Sequence, residues 1–156
     1  PDAARRRSVK HQLGGALISL PESNRDLAVL LLRVITGINF VGHGLVRILG
    51  DYTAFAQGIV DQFADTFLPA VMVWPLGYAI PVVELVFGVA LIVGVRIRAT
   101  VIAGFVLMAV LLSGMVLLEE WAVVGIQMIY ILTLFAILAF QPEARHGPPD
   151  PPSANR

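Results

Sequence analysis

The sequence predicts an all-α integral membrane protein: a four-helix bundle with one additional interfacial amphipathic helix between spans 1 and 2. Three observations predict it. Of 156 residues, 57% are hydrophobic and 14% charged, and the mean hydropathy is +0.80, outside the range of soluble domains. Four apolar runs approach the ~20 residues that a spanning helix needs. Basic residues gather in alternate connections, as they do in multi-pass membrane proteins. This length accommodates one membrane domain over 27–140, a basic N-terminal segment over 1–26 and a Pro-rich tail over 141–156.

The N-terminal segment carries Arg5, Arg6 and Arg7 in a row and shows no signal peptide. It opens on Pro1 rather than Met, which reads as a processed or cut start. Leu13 to Leu20 is too short to span and lies between Lys10 and Arg25, so it reads as a segment on the membrane surface. Ser23 or Asn24 is expected to cap the first span, with Asp26 a first-turn acid favourable against the helix dipole.

Leu27 to Leu49 is the first span, yet it carries Arg33, Thr36, Asn39, His43 and Arg47. At about 100° per residue those side chains fall within an arc of roughly 120°. An ionisable group at mid-bilayer is costly unless it is paired or meets water, so this stripe must face protein or a wet cavity. In Gly50 to Leu68, Phe55, Ile59, Phe63 and Phe67 recur every four residues, while Asp51, Gln57, Asp61 and Asp65 mostly point elsewhere. That is an amphipathic helix, read as a surface connector with an apolar underside, the alternative being a lid over a buried site. Pro69 is expected to end or kink it.

Met72 to Val95 is the second span. Its Gly77, Pro81, Glu84 and Gly88 lie within roughly 60° of one another on the helical wheel, so Glu84 shares the small-residue face on which helices pack closely. Pro75 and Pro81 imply a bent outer half. Arg96 and Arg98 form a basic turn, and Ala99 to Leu118, almost featureless, reads as a structural third span. After Glu119 and Glu120, Ala122 to Phe140 is the fourth span, with Gln127, Tyr130 and Thr133 at three-residue spacing. The tail from Gln141 holds five prolines and reads as disordered.

With four spans, Arg5, Arg6, Arg7, Lys10, Arg25, Arg96, Arg98, Arg145 and Arg156 all fall on one side, which the positive-inside rule makes cytoplasmic. The opposite loops hold Asp51, Asp61, Asp65, Glu119 and Glu120, with Arg47 the basic residue near them. The expected topology is N-in and C-in.

A rise of about 1.5 Å per residue puts Asn39 and Glu84 at similar depth, roughly 17 Å from the cytoplasmic edge, with Tyr130 close by. His43 and Gln127 come out roughly 5 Å further out, and Arg47 nears the outer interface. Asn39, His43, Arg47, Glu84, Gln127 and Tyr130 are therefore the candidate ligand-binding residues, lining one pocket that opens outward. Each also has a purely structural alternative: His43 bonded to a backbone carbonyl, and Gln127 and Tyr130 as interhelical hydrogen-bonding groups. Glu84 must either pair with Arg47, Arg33 or His43 or stay protonated, and either state couples to proton chemistry. Arg33, near the cytoplasmic edge, snorkels or pairs with Asp26.

Several chemistries drop out. With no cysteine, disulfide exchange, thiolate catalysis and iron–sulfur ligation are excluded for this chain by itself. Of three histidines, His11 and His146 lie outside the spans, so paired axial haem ligation fails, and no metal site is assigned. Nothing in the charge pattern indicates a nucleic-acid surface. The expected surroundings are the lipid bilayer and either further copies of the chain or the subunits of a larger membrane complex. No catalytic residue is assigned. A transporter is disfavoured because the inverted repeat that alternating access commonly uses is missing.

Two motif pairs resemble the DoxX family of small bacterial four-helix membrane proteins, whose relatives include the DoxD subunit of a thiosulfate:quinone oxidoreductase. In the first span these are Arg33-x-x-x-Gly37 and Phe40-x-x-His43-Gly44-x-x-Arg47, the last position being more usually Lys in the family. In the second they are Glu84-x-x-x-Gly88 and Gly94-x-x-x-Arg98-Ala99. The Ser-Leu-Asp ending common in the family is replaced here by Gln141-Pro142-Glu143. The resemblance covers roughly Leu27 to Phe140. It implies a bacterial inner-membrane component of a quinone-linked redox system, with no covalent cofactor, a quinone or a small anion such as thiosulfate as ligand, and a soluble electron-transfer partner. The alternative is a non-catalytic structural or assembly subunit of a larger complex.

Overall fold

A computed structural model of the chain describes Pro21 and residues 23–141. The surface segment expected over Leu13 to Leu20 and the disordered tail expected beyond Gln141 lie outside the described residues. Within them are five helices: α1 (Asn24–Leu49), α2 (Tyr52–Gln62), α3 (Ala70–Val93), α4 (Ile97–Leu117) and α5 (Trp121–Ala139). All but α2 are long and apolar enough to cross a membrane. The architecture is thus the expected four-helix membrane bundle, with α2 placed between its first two spans. Arg25 at the start of α1 lies 5.8 Å from the ring centroid of Phe140 after α5, so both ends of the described chain meet at one face of the bundle.

Local chemistry sets most boundaries. Ser23 caps α1 by accepting from the Arg25 N–H at 3.3 Å, and Asp26 sits in its first turn. Asp51 caps α2 by accepting from the Ala54 N–H at 2.8 Å. Contrary to expectation, Pro69 does not end this helix. It stops at Gln62, where Phe63 turns inward and is buried and turns run on to Leu68. Pro69 instead is the N-cap of α3, where its missing N–H costs nothing. Gly94 ends α3 with a φ of 85°, a left-handed geometry that a side chain would strain.

The tightest interface joins α1 to α3, and backbone contact makes it so. A Cβ at Gly44 would lie 2.5 Å from the Pro81 carbonyl oxygen, and one at Gly88 2.6 Å from that of Gly37. Bundles in lipid gain no hydrophobic energy from association, so this close approach and its dispersion contacts hold the pair. Gly104 on α4 admits the Phe87 ring in the same way. The half that carries Arg25, Arg96 and Arg98 then closes as a solid core of Phe40, Phe87, Leu91, Val101, Leu107, Met108, Leu134 and Ile137. Among the described residues no equivalent plug fills the other half, where a cavity lies under α2.

Candidate functional site

The cavity has a volume of about 1070 Å3 and is walled by α1, α3, α4 and α5, with α2 across one end. All six candidate residues, Asn39, His43, Arg47, Glu84, Gln127 and Tyr130, line it. Its floor is aromatic: Phe40 meets Tyr130 at 5.6 Å and is backed by Phe87 of the core, edge-on at 4.8 Å. Above the floor, the Asn39 amide donates to the Tyr130 hydroxyl at 2.7 Å and ties α1 to α5. Gln127, about one turn nearer the start of α5, is buried, and its Oε1 has no hydrogen-bond partner among the described residues.

Arg47 donates to the Glu84 carboxylate, an ion pair across α1 and α3. Glu84 is only 4% exposed, which a carboxylate tolerates only with such a partner. The arginine is held from a second side as well, its guanidinium carbon lying 4.9 Å from the ring centroid of Phe55 on α2. His43 lines the cavity between Asn39 and Arg47 and is otherwise exposed.

The depth order differs from expectation. The glycine contacts set α1 against α3 so that Gly44 faces Pro81 and Leu85, while Gly37 faces Gly88 and Ile92. This register places Glu84 level with His43, about one turn nearer α2 than Asn39, and within reach of Arg47. Rise per residue measured separately on each span misses the offset because backbone-to-backbone packing, not span length, aligns the helices. Arg33 takes no part in the cavity. A Cβ at Gly94 would lie 3.0 Å from its Nη1, so its guanidinium rests on the turn after α3, and Asp26 is not its partner among the described residues.

Two walls carried no polar signal. The third span, read as structural, supplies a long side of the cavity from Val106 to Leu117, with Leu111 and Met115 on its core-facing side. Its Ser113 hydroxyl is turned to the Ala109 carbonyl at 2.7 Å. From α2 and the turn after it come Phe55, Ile59 and Phe63, so the apolar underside of this element covers a cavity as well as connecting two spans. The four-residue recurrence of these residues was the available clue. Tyr52 fastens α2 by donating its hydroxyl to the Tyr78 carbonyl, and Ala56 packs on Gly77.

Residues 28–117 match the DoxX family model. A relative from Bacillus subtilis (strain 168), "Putative oxidoreductase CatD", is 38% identical over 92 residues, covering 59% of this chain. The chain spans 59% of the length of that curated relative. No solved structure matches. The family match takes in α1 to α4, and with them the glycine-lined α1–α3 interface and the Arg47–Glu84 pair, while Gln127 and Tyr130 on α5 lie beyond it. On that match, this multi-pass membrane protein belongs to the DoxX family.

Proposed function

We propose that this chain is the membrane subunit of a quinone-linked redox system and holds its quinone in the outer-half cavity. The observation that carries the proposal is the make-up of that cavity, mostly apolar walls with Asn39, His43, Gln127 and Tyr130 gathered among them. Ligand sites commonly have this composition: much apolar surface and a few placed polar groups. The residues fit the group. A quinone ring has two oxygens that accept as carbonyls and donate as hydroxyls, and the side chains of His43, Tyr130 and Gln127 have the atoms to meet both forms. Gln127 Oε1, buried and without a partner, is an acceptor that a ligand hydroxyl would satisfy. A bound quinone supplies two-electron, two-proton chemistry. The chain's own part is to orient the ring and exchange protons at His43 and Tyr130, with electrons arriving from a soluble partner protein. The name of the relative, an oxidoreductase, supports a redox role.

The same proposal sets the chain in the bacterial inner membrane with both termini cytoplasmic. Arg25, Arg96 and Arg98 lie at one end of the bundle and Asp51, Asp61, Asp65, Glu119 and Glu120 at the other, the asymmetry that orients multi-pass proteins. A second reading, the non-catalytic structural or assembly subunit, is favoured by one observation: Arg47 with Glu84 and Asn39 with Tyr130 already satisfy one another.

Quinone binding by the purified protein in nanodiscs, followed by quenching of its tryptophan and tyrosine fluorescence, separates the two. The expected result is saturable binding that His43→Ala weakens by about 1 kcal/mol, the worth of one hydrogen bond. Folded protein that binds no quinone would leave the structural reading standing.

A further inference from the structure

We infer that the cavity takes a neutral, membrane-dissolved ligand whose apolar chain lies in the trough along α4, and that it rejects soluble anions such as thiosulfate. This rests on the quinone reading and deepens it by choosing between the two ligand classes that the reading allows.

Charge decides the first half. Of the side chains lining the cavity, Arg47 and Glu84 are the charged ones, and they neutralise each other through a direct ion pair. Arg47 is further covered by the Phe55 ring. An anion entering would have to displace the Glu84 carboxylate from its partner and leave it buried and unpaired, which is the costlier arrangement. Asn39 offers no free charge, and its amide already donates to Tyr130. The site therefore has hydrogen-bonding groups to spend on a ligand but no arginine or lysine that is not already paired.

Shape decides the second half. The polar groups of α1 and α5 stand around the floor and the middle of the cavity, whereas the α4 wall from Val106 to Leu117 is apolar, with the Ser113 hydroxyl turned back onto its own helix. The bundle-facing positions of that wall, Met108, Leu111 and Met115, span about 10 Å of helix rise, so the trough is longer than a single ring. A volume of about 1070 Å3 slightly exceeds the usual range for small-molecule sites, about 300–1000 Å3. A ring held among His43, Gln127 and Tyr130 leaves the trough to be filled. Lipid tails are as apolar as the trough, so moving a chain from the bilayer into it yields little hydrophobic energy. The trough thus acts by shape, admitting a chain attached to a held ring, and blocking it should affect tailed ligands more than the bare ring.

The experiment compares two probes in nanodiscs, a tailless methoxy-substituted benzoquinone and the same ring bearing a long prenyl chain, on the unaltered protein and on Leu111→Trp. Both probes should bind the unaltered protein. Leu111→Trp should weaken the tailed probe by roughly tenfold or more beyond any effect on the tailless one. Binding of the tailless probe is also the folding control, and Leu111→Ala, which widens the trough, should keep both. If Leu111→Trp weakens both probes equally or neither, the trough falls and quinone binding stands. If neither probe binds the unaltered protein, the quinone reading falls and takes this inference with it. Titration with thiosulfate should show no binding to the unaltered protein, and saturable binding would overturn the charge argument.

Discussion

At the residue scale the decisive contact is the ion pair between Arg47 and Glu84. The two side chains are 28% and 5% exposed, so removing either leaves a charge of opposite sign largely out of water. Arg47→Leu alone should lower stability by about 3 kcal/mol, and the joint change of both residues to Leu should recover most of that. A double-mutant cycle from thermal melts checks it, and additive losses would show that the pair is not coupled. Glu84→Leu is expected to leave a helical protein that no longer binds its ligand, because Arg47 then turns an unpaired charge into the cavity. Full binding at unchanged melting temperature would show that Glu84 is neither site nor lock. His43→Ala makes a useful contrast: His43 has no partner among the described residues, so its loss should reduce ligand affinity with little effect on melting.

At the scale of elements, two packing devices shape the cavity. The glycine notches between α1 and α3 fix the register that brings Glu84 to Arg47. Gly44→Ala would set a methyl group against the Pro81 carbonyl, which is backbone and has little room to yield. It should cost about 1–3 kcal/mol by overpacking, and should reduce ligand binding along with stability. The second device is α2. Its hold depends on the Tyr52 hydroxyl, on Phe55 over Arg47 and on Ala56 against Gly77. Tyr52→Phe and Phe55→Ala should each weaken it by about 1 kcal/mol. Hydrogen exchange should then quicken in residues 52–62 while the four spanning helices keep their protection. Equal quickening in α1 and α3 would mean that α2 is part of the global folding unit.

At the scale of the whole molecule, the bundle is solid at one end and hollow at the other, and charge follows the same axis. Aromatic and branched residues fill the end that carries Arg25, Arg96 and Arg98, whereas the cavity opens beneath α2 at the acidic end. If the basic end is cytoplasmic, reporter fusions after Gln141 and within residues 50–68 should give opposite signals, the first cytoplasmic and the second periplasmic. A periplasmic C-terminus would overturn the proposed orientation. In that orientation the cavity sits in the outer leaflet half, so protons exchanged at His43 would communicate with the periplasmic side.

Much of this protein was decided by its sequence alone. Four apolar runs can only be helices in lipid, since every backbone N–H and C=O must be satisfied within its own segment. The polar stripe from Asn39 to Arg47 and the glycine-flanked Glu84 had to turn from lipid for the same reason, and the family follows from motifs in those two helices. Tertiary structure alone decided the rest. Glu84 stands level with His43 and not Asn39 because Gly37, Gly44 and Gly88 let two backbones touch, and interhelical register leaves no trace in the hydropathy of either helix. The α4 wall escaped notice because an apolar side chain facing a cavity and one facing lipid are the same residue in the sequence. Which of them meets empty space depends on where the neighbouring helices diverge, and that is a property of the packed bundle.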